Sequence, residues 1–137
     1  MQSDQEARTY VARTLERRGA TSTAQYVALL AATPANRAIE GLIPWIFLPT
    51  PERSESYCSE AAGHPVLPFA QAVGEDMMAC FTTQPATSPK VFVINPWAVD
   101  KSRVVLAELP DFDAWLAYAE KISHAIQARE QEEADNE

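Results

Sequence analysis

Only a few side chains in this sequence are of the types that catalysis or metal binding requires. The candidates are two cysteines, Cys58 and Cys80, and two histidines, His64 and His124. A thiol beside an imidazole can act as a nucleophile, so Cys58 with His64 would suit a small hydrolase. No acidic residue is spaced to orient either histidine, and two cysteines without paired spacing do not make a zinc site. We therefore predict no catalytic residue, no metal and no cofactor.

The acidic pairs and the glycines do not form any motif that is typical of an enzyme. Asp111 and Asp113 suit a helix start, and Glu75 with Asp76 suits a turn. Nothing in the sequence selects two carboxylates that face one cleft, as a glycosidase requires. The four glycines form neither a phosphate loop nor a dinucleotide motif, which argues against nucleotide binding. The sequence predicts a protein that is not an enzyme.

Surface recognition is the function that these residues favour. Trp45 and Trp97 lie in proline-flanked segments, where a large aromatic side chain can anchor an interface. Three acids lie near the predicted strand turns, and they would steer a basic partner mainly by raising its association rate. The hypothesis is a partner-binding surface with these members: Glu75, Asp76, Trp97, Asp100 and Trp45.

Charge and length set the class of protein. The 137 residues contain 11 Lys plus Arg against 19 Asp plus Glu, a net charge of −8 that argues against nucleic acid as a partner. Apolar residues make up 47%, enough for one packed core. Residues 1–129 are predicted to form a single domain, and the acid-rich segment 130–137 a disordered tail. No apolar run approaches the ~20 residues of a membrane span, so the expected location is the cytoplasm.

Apolar residues at helical spacing predict four helices. The strongest stripe runs from Phe112 to Ile126, and we expect it to lie across one face of a sheet. A helix from Thr50 to Ala62 would have a hydroxyl cap, an early proline and Gly63 at its end. Of the two amino-terminal helices, one stops at Gly19 and the other opens on a capping box at 22–25. Their apolar faces are Ala7, Tyr10, Val11 and Leu15, and Tyr26, Leu29 and Leu30.

Short runs of strand-forming residues predict five strands. Turn and loop residues separate them, and their ranges are 44–48, 66–73, 77–82, 91–95 and 103–107. The short connections from 66 onwards favour an antiparallel meander, because a parallel crossover needs a dozen or more linking residues. The predicted fold is α+β: an antiparallel sheet of about four to five strands, flanked by N-terminal helices and a long C-terminal helix. An aromatic cluster of Phe69, Phe81 and Phe92 is expected beneath the last helix.

Four segments in this order resemble one known family. They are VLPFAQAVGED at 66–76, MMACF at 77–81, VFVIN at 91–95 and LPDFDAWL at 109–116. Together they resemble the SUKH superfamily, whose pattern is a hydrophobic-Pro-Phe strand, a Gly/Asp turn, a strand ending in Cys-Phe, a Val-rich strand and a helix that opens on Phe. The match covers about residues 65–120, and its specificity comes from the ordered set. The superfamily includes the yeast Smi/Knr-type cell-wall-synthesis regulator and many bacterial immunity proteins of polymorphic toxin systems.

The resemblance implies an α+β fold without catalytic activity and a binding role, typically neutralisation of a cognate toxin. The expected partner is a protein, for example a basic nuclease-type toxin domain, and neither nucleic acid nor a membrane. Two alternatives remain open at this point. A secretion-type chaperone would bind an extended effector segment as a homodimer, and a small Cys/His hydrolase would bring Cys58 and His64 together at a pocket. The sequence does not define the oligomeric state.

Overall fold

The computed structural model describes residues 4–17, 24–34, 37–82 and 89–135. The predicted helix stop at Gly19 and the predicted cap at Ser22 lie outside these residues. The described chain contains four α-helices and five strands. The helices are α1 (Asp4–Arg17), α2 (Ala24–Ala32), α3 (Pro51–Ala62) and α4 (Phe112–Asp135), and the strands are β1 (Trp45–Phe47), β2 (Val66–Ala72), β3 (Met77–Thr82), β4 (Val91–Ile94) and β5 (Val105–Leu109).

The five strands form one antiparallel meander in the order β1-β2-β3-β4-β5, which confirms the predicted α+β class. Each strand therefore pairs with its neighbour in sequence. The β2–β3 register pairs Ala72 with Met77, and the β3–β4 register pairs Met78 with Ile94. The turn after β2 and the loop after β4 consequently lie at the same end of the sheet.

The two faces of the sheet carry different cores, because successive side chains of a strand point to opposite faces. In β3, Ala79 and Phe81 belong to a large core that includes residues of α1, α2 and α4. Met78 and Cys80 belong to a smaller core that includes Cys58 of α3. We call these the main core and the α3 core. The predicted stripe of α4 lies on the main core, which confirms its placement on the sheet; its members in that core are Phe112, Trp115, Leu116, Ala119 and Ile122. The last member, Ile126, is also buried.

The predicted aromatic cluster is correct for two of its three rings. Phe69 and Phe81 stack in the main core with ring centroids 4.3 Å apart. Phe92 pairs with Cys80 across the β3–β4 ladder and therefore faces the α3 core. Its ring contacts His64, with centroids 5.0 Å apart. The prediction for Phe92 is wrong because strand alternation places it on the opposite face.

Helix α3 begins and ends close to its predicted bounds. Pro51 occupies the first turn, but the Thr50 hydroxyl makes no capping hydrogen bond, so that part of the prediction is wrong. Gly63 closes the helix in the left-handed conformation, with φ of 82°, and its N–H donates to the carbonyl of Ser59. Glycine is suited to this position because it has no Cβ to clash in that conformation.

Two boundaries near the carboxyl end differ from the sequence expectation. The fifth strand is Val105–Leu109 rather than 103–107, because Lys101–Arg103 form a short 3₁₀ helix that Asp100 caps. Helix α4 continues through Asp135, so residues 130–135 are helical where the sequence predicts a disordered tail. Glu, Gln and Ala favour a helix, and the side chains of Gln131 and Asp135 join one turn apart at 3.1 Å.

Candidate protein-binding surface

Both thiols with catalytic potential are enclosed in the core. Cys58 and Cys80 are fully buried in the α3 core, where burial raises the pKa of the Cys80 thiol well above its usual range. The Cys58 thiol lies 3.8 Å from the Met78 sulfur. No hydrogen bond links either thiol to a histidine in the described residues, and His124 is exposed on α4. The part of the chain described contains no group of three His, Cys, Asp or Glu residues that could hold a metal ion.

Trp45 was selected by sequence as a surface anchor, and the structure corrects this assignment. Its side chain is completely buried, and its ring meets that of Trp115 edge-on with centroids 5.4 Å apart. The reason is the pairing of β1 with β2, which places Trp45 opposite Ala72, a residue of the main core. Trp45 is therefore part of the core and not of a binding surface.

The β2–β3 turn carries two of the predicted acids in different settings. Glu75 accepts a hydrogen bond from Arg129 of α4, so its charge is already paired within the chain. Asp76 is exposed, and its backbone adopts a positive φ of 50° after Gly74 at 83°. No hydrogen bond or ion pair to the Asp76 side chain is present among the described residues. Asp76 is thus the acid of this turn that remains available to a partner.

The loop between β4 and β5, residues 95–104, is held by hydrogen bonds at both ends. At its start, the Asn95 side chain accepts from the N–H of Trp97 at 3.0 Å, and the Asn95 N–H donates to the carbonyl of Val104 at 2.7 Å. In its second half, the Asp100 carboxylate accepts from the N–H and the hydroxyl of Ser102, at 3.0 and 2.8 Å. These bonds lower the pKa of Asp100. The 95–104 loop is therefore fixed by its own side chains.

This loop displays two apolar side chains to solvent. Trp97 is 50% exposed and Val99 is fully exposed. A third exposed side chain, the ring of Tyr57 on α3, lines the same groove as Val99, and its hydroxyl contacts the Met78 sulfur at 3.7 Å. Apolar side chains that are exposed close together, rather than singly, are typical of interaction sites. The two apolar side chains mark the loop as a candidate interface.

A groove of about 550 Å³ separates the 95–104 loop from the carboxyl-terminal half of α3. Polar and apolar atoms contribute about equally to its surface, and the lining includes one acid on the α3 side and one base on the loop side, Glu60 and Lys101. The lining residues are Tyr57, Glu60, Ala61, Ala62, Gly63, Pro96, Ala98, Val99, Lys101 and Val104. The loop thus offers both projecting side chains and a concave surface beside them.

Four of the five sequence-predicted site residues share one end of the molecule. The registers of the sheet bring the turn with Glu75 and Asp76 to the same end as the loop with Trp97 and Asp100. Sequence reasoning missed Tyr57, Val99 and the groove. Val99 had a signal, since it lies between Asn95 and Asp100, two residue types that fix loops through their own backbone bonds. The groove had none, because it depends on how α3 packs against the sheet.

Comparisons with known proteins add no assignment. The sequence matches no family model and no curated protein, and the fold matches no solved structure. In the part of the chain that the structure describes, no helix is both long and apolar enough to cross a membrane.

Proposed function

We propose that this chain is a cytoplasmic, non-catalytic binding protein of the immunity type, which neutralises a bacterial toxin by covering its surface. The resemblance of residues 65–120 to the SUKH superfamily supports this assignment, and the α+β fold is the one that the resemblance implies. The burial of both thiols also favours a binding role, since the nucleophile of a hydrolase must reach its substrate.

The 95–104 loop is the observation that carries the proposal. Trp97 and Val99 project from a loop that is fixed by hydrogen bonds of Asn95 and Asp100. A loop that is already ordered loses little conformational entropy when it binds, so more of the contact energy appears as affinity. An exposed tryptophan at the centre of an interface is a common source of that energy. The loop is therefore suited to dock against a preformed surface of a partner.

The exposed acids add a second contribution. Asp76 and Asp100 lie at the same end of the sheet as the loop, whereas the charge of Glu75 is offset by Arg129. Acids at the rim of an interface attract a basic partner and mainly raise the association rate. Asp76→Asn with Asp100→Asn should slow association several-fold at low salt and much less at high salt. Asn can replace Asp as a helix cap, so the loop should keep its shape.

The decisive experiment begins with a search of the neighbouring coding sequences for a toxin domain, which is then produced as the binding partner. The double variant Trp97→Ala/Val99→Ser should weaken binding of that domain at least about 100-fold, since centrally placed anchors contribute most of an interface's affinity. Biolayer interferometry measures the affinity, and circular dichroism checks the fold. Val27→Ser is the matched control, because Val27 is an exposed valine on α2.

Three results would contradict the proposal. One is the absence of a toxin domain among the neighbouring coding sequences, and another is unchanged affinity of the double variant. The third is capture of an extended effector segment by a homodimer, which would favour the secretion-type chaperone.

A further inference from the structure

The carboxyl end of α3 forms a negative pole beside the groove. Ala62 and Gly63 line the groove, and the last turn of α3 contains no basic residue. The carbonyl of Ser59 accepts from Gly63, but no described backbone N–H donates to the carbonyls of Glu60, Ala61 or Ala62. Helix carboxyl ends carry partial negative charge, and the carboxylate of Glu60 adds a full one. This end of the helix therefore favours a cation that the chain itself does not supply in that turn.

The walls of the groove suit a long side chain with a charged tip. Ala61, Ala98 and Val104 offer aliphatic surface, and the exposed ring of Tyr57 lies at the same opening. Arginine combines an aliphatic stem with a flat cation that stacks on aromatic rings and donates to several acceptors at once. Lysine has the charge but not the planar group. The combination of aliphatic walls, an aromatic ring and a negative pole thus matches arginine.

We propose that the groove is an arginine site, in which an arginine side chain of the partner protein lies along the aliphatic walls with its guanidinium group at Glu60 and the α3 carboxyl end. This inference rests on the proposed function, and it specifies the chemistry of the partner at one point of the interface. Lys101 on the opposite wall carries the same charge as the incoming group. Lys101 therefore weakens the binding of arginine, whereas Glu60 on the α3 wall strengthens it.

The test uses capped arginine, N-acetyl-arginine amide, as the probe in an NMR titration of the ¹⁵N-labelled full chain. The amides of Ala62, Gly63 and Val99 should shift in a saturable manner. N-acetyl-citrulline amide has nearly the same shape without the charge, and it should bind several-fold more weakly. Glu60→Gln should weaken the arginine probe several-fold, and Lys101→Gln should strengthen it. Glu120→Gln is the matched control, because Glu120 is an exposed acid on α4.

Other outcomes overturn the inference. These are equal binding of arginine and citrulline, the absence of saturable shifts at the groove, or an effect of Glu120→Gln as large as that of Glu60→Gln. The last result would mean that the acidic chain attracts any cation. The inference and the proposed function can fail separately. Trp97 does not line the groove, so Trp97→Ala separates the two. If Trp97→Ala weakens toxin binding while Glu60→Gln and Lys101→Gln change nothing, only the arginine site is wrong.

Discussion

The two faces of the sheet are built from different kinds of side chain. On the main-core face, the ring of Tyr26 meets four phenylalanine rings edge-on, at centroid distances of 5.3 to 5.6 Å. On the α3 face the buried residues are sulfur-containing or aliphatic, and Phe92 is the aromatic ring at their margin. The aromatic face buries more apolar area per residue and therefore contributes more stability. We infer that the main-core face supplies most of the stability of the fold. The α3 face can therefore keep a groove and an exposed loop.

Replacement of a ring in the main core should have the largest effect on stability. Trp115→Ala removes a fully buried indole that contacts Trp45 and Phe69, and it should lower the free energy of unfolding by about 3–5 kcal/mol. Urea unfolding measures this change. Trp97→Ala is the matched control and should cost less than about 0.5 kcal/mol, because Trp97 is half-exposed. Similar losses for the two variants would mean that the main core is not the stable half.

The same kind of truncation in the α3 core should cost less. Met78→Ala removes a buried thioether that contacts Cys58 and Tyr57, and a loss of about 2–3 kcal/mol is expected in urea unfolding. The variant also removes the sulfur that the Tyr57 hydroxyl contacts, so it should weaken the arginine probe. A loss larger than that of Trp115→Ala would reverse the proposed ranking of the two faces.

A backbone change at the end of α3 should have a smaller effect. Gly63→Ala places a Cβ on a residue with φ of 82°, where the surrounding space is open, so the cost is conformational. We expect a loss of about 1 kcal/mol in the free energy of unfolding. Gly63→Asn should lose less, because asparagine tolerates the left-handed conformation. Equal losses for the two variants would point to a steric cause instead.

The smallest predicted effect concerns alkaline pH. Burial keeps the Cys80 thiol protonated in the folded chain, whereas an unfolded cysteine ionises near pH 8.5. Above that pH the unfolded state binds fewer protons than the folded state, so stability falls as pH rises. The loss attributable to Cys80 should stay below about 1 kcal/mol at pH 9. Between pH 7 and 9, the free energy of unfolding of Cys80→Ala, measured in urea, should fall less steeply than that of the wild type. Equal slopes for the two proteins would exclude ionisation of Cys80 as the cause of the decline.

Sequence patterns predicted the elements well because local rules determine them. The spacing of Trp115 and Ala119 placed α4 on the sheet, and the left-handed preference of glycine placed the end of α3 at Gly63. The errors arose where tertiary pairing decides. Trp45 lies in a segment flanked by prolines, which led to the prediction that it is exposed. The β1–β2 register instead places it in the core. Phe92 was assigned to the wrong face, because a short strand gives no signal of which of its two faces meets which helix.

The site was only partly predictable for the same reason. The exposed aromatic Trp97 and the acids Asp76 and Asp100 follow from their turn and loop positions. The pairing of Glu75 with Arg129 joins residues far apart in sequence, and no local pattern reports it. The groove likewise depends on the distance between α3 and the 95–104 loop, which side-chain packing across the sheet sets.

The sequential order of the strands has a consequence for how the chain assembles. Every strand pairs with the one made just before it, so the sheet can grow step by step through short-range contacts, which favours rapid folding. The rings of Phe69 and Phe81, however, await Phe112 and Trp115, which follow β5 in the chain. Until α4 leaves the ribosome, Tyr26 can cover these rings on one side only, and the side that Phe112 and Trp115 later cover makes the nascent sheet prone to aggregate. During synthesis, the packing of α4 on the sheet covers the remaining ring surface and ends the risk of aggregation.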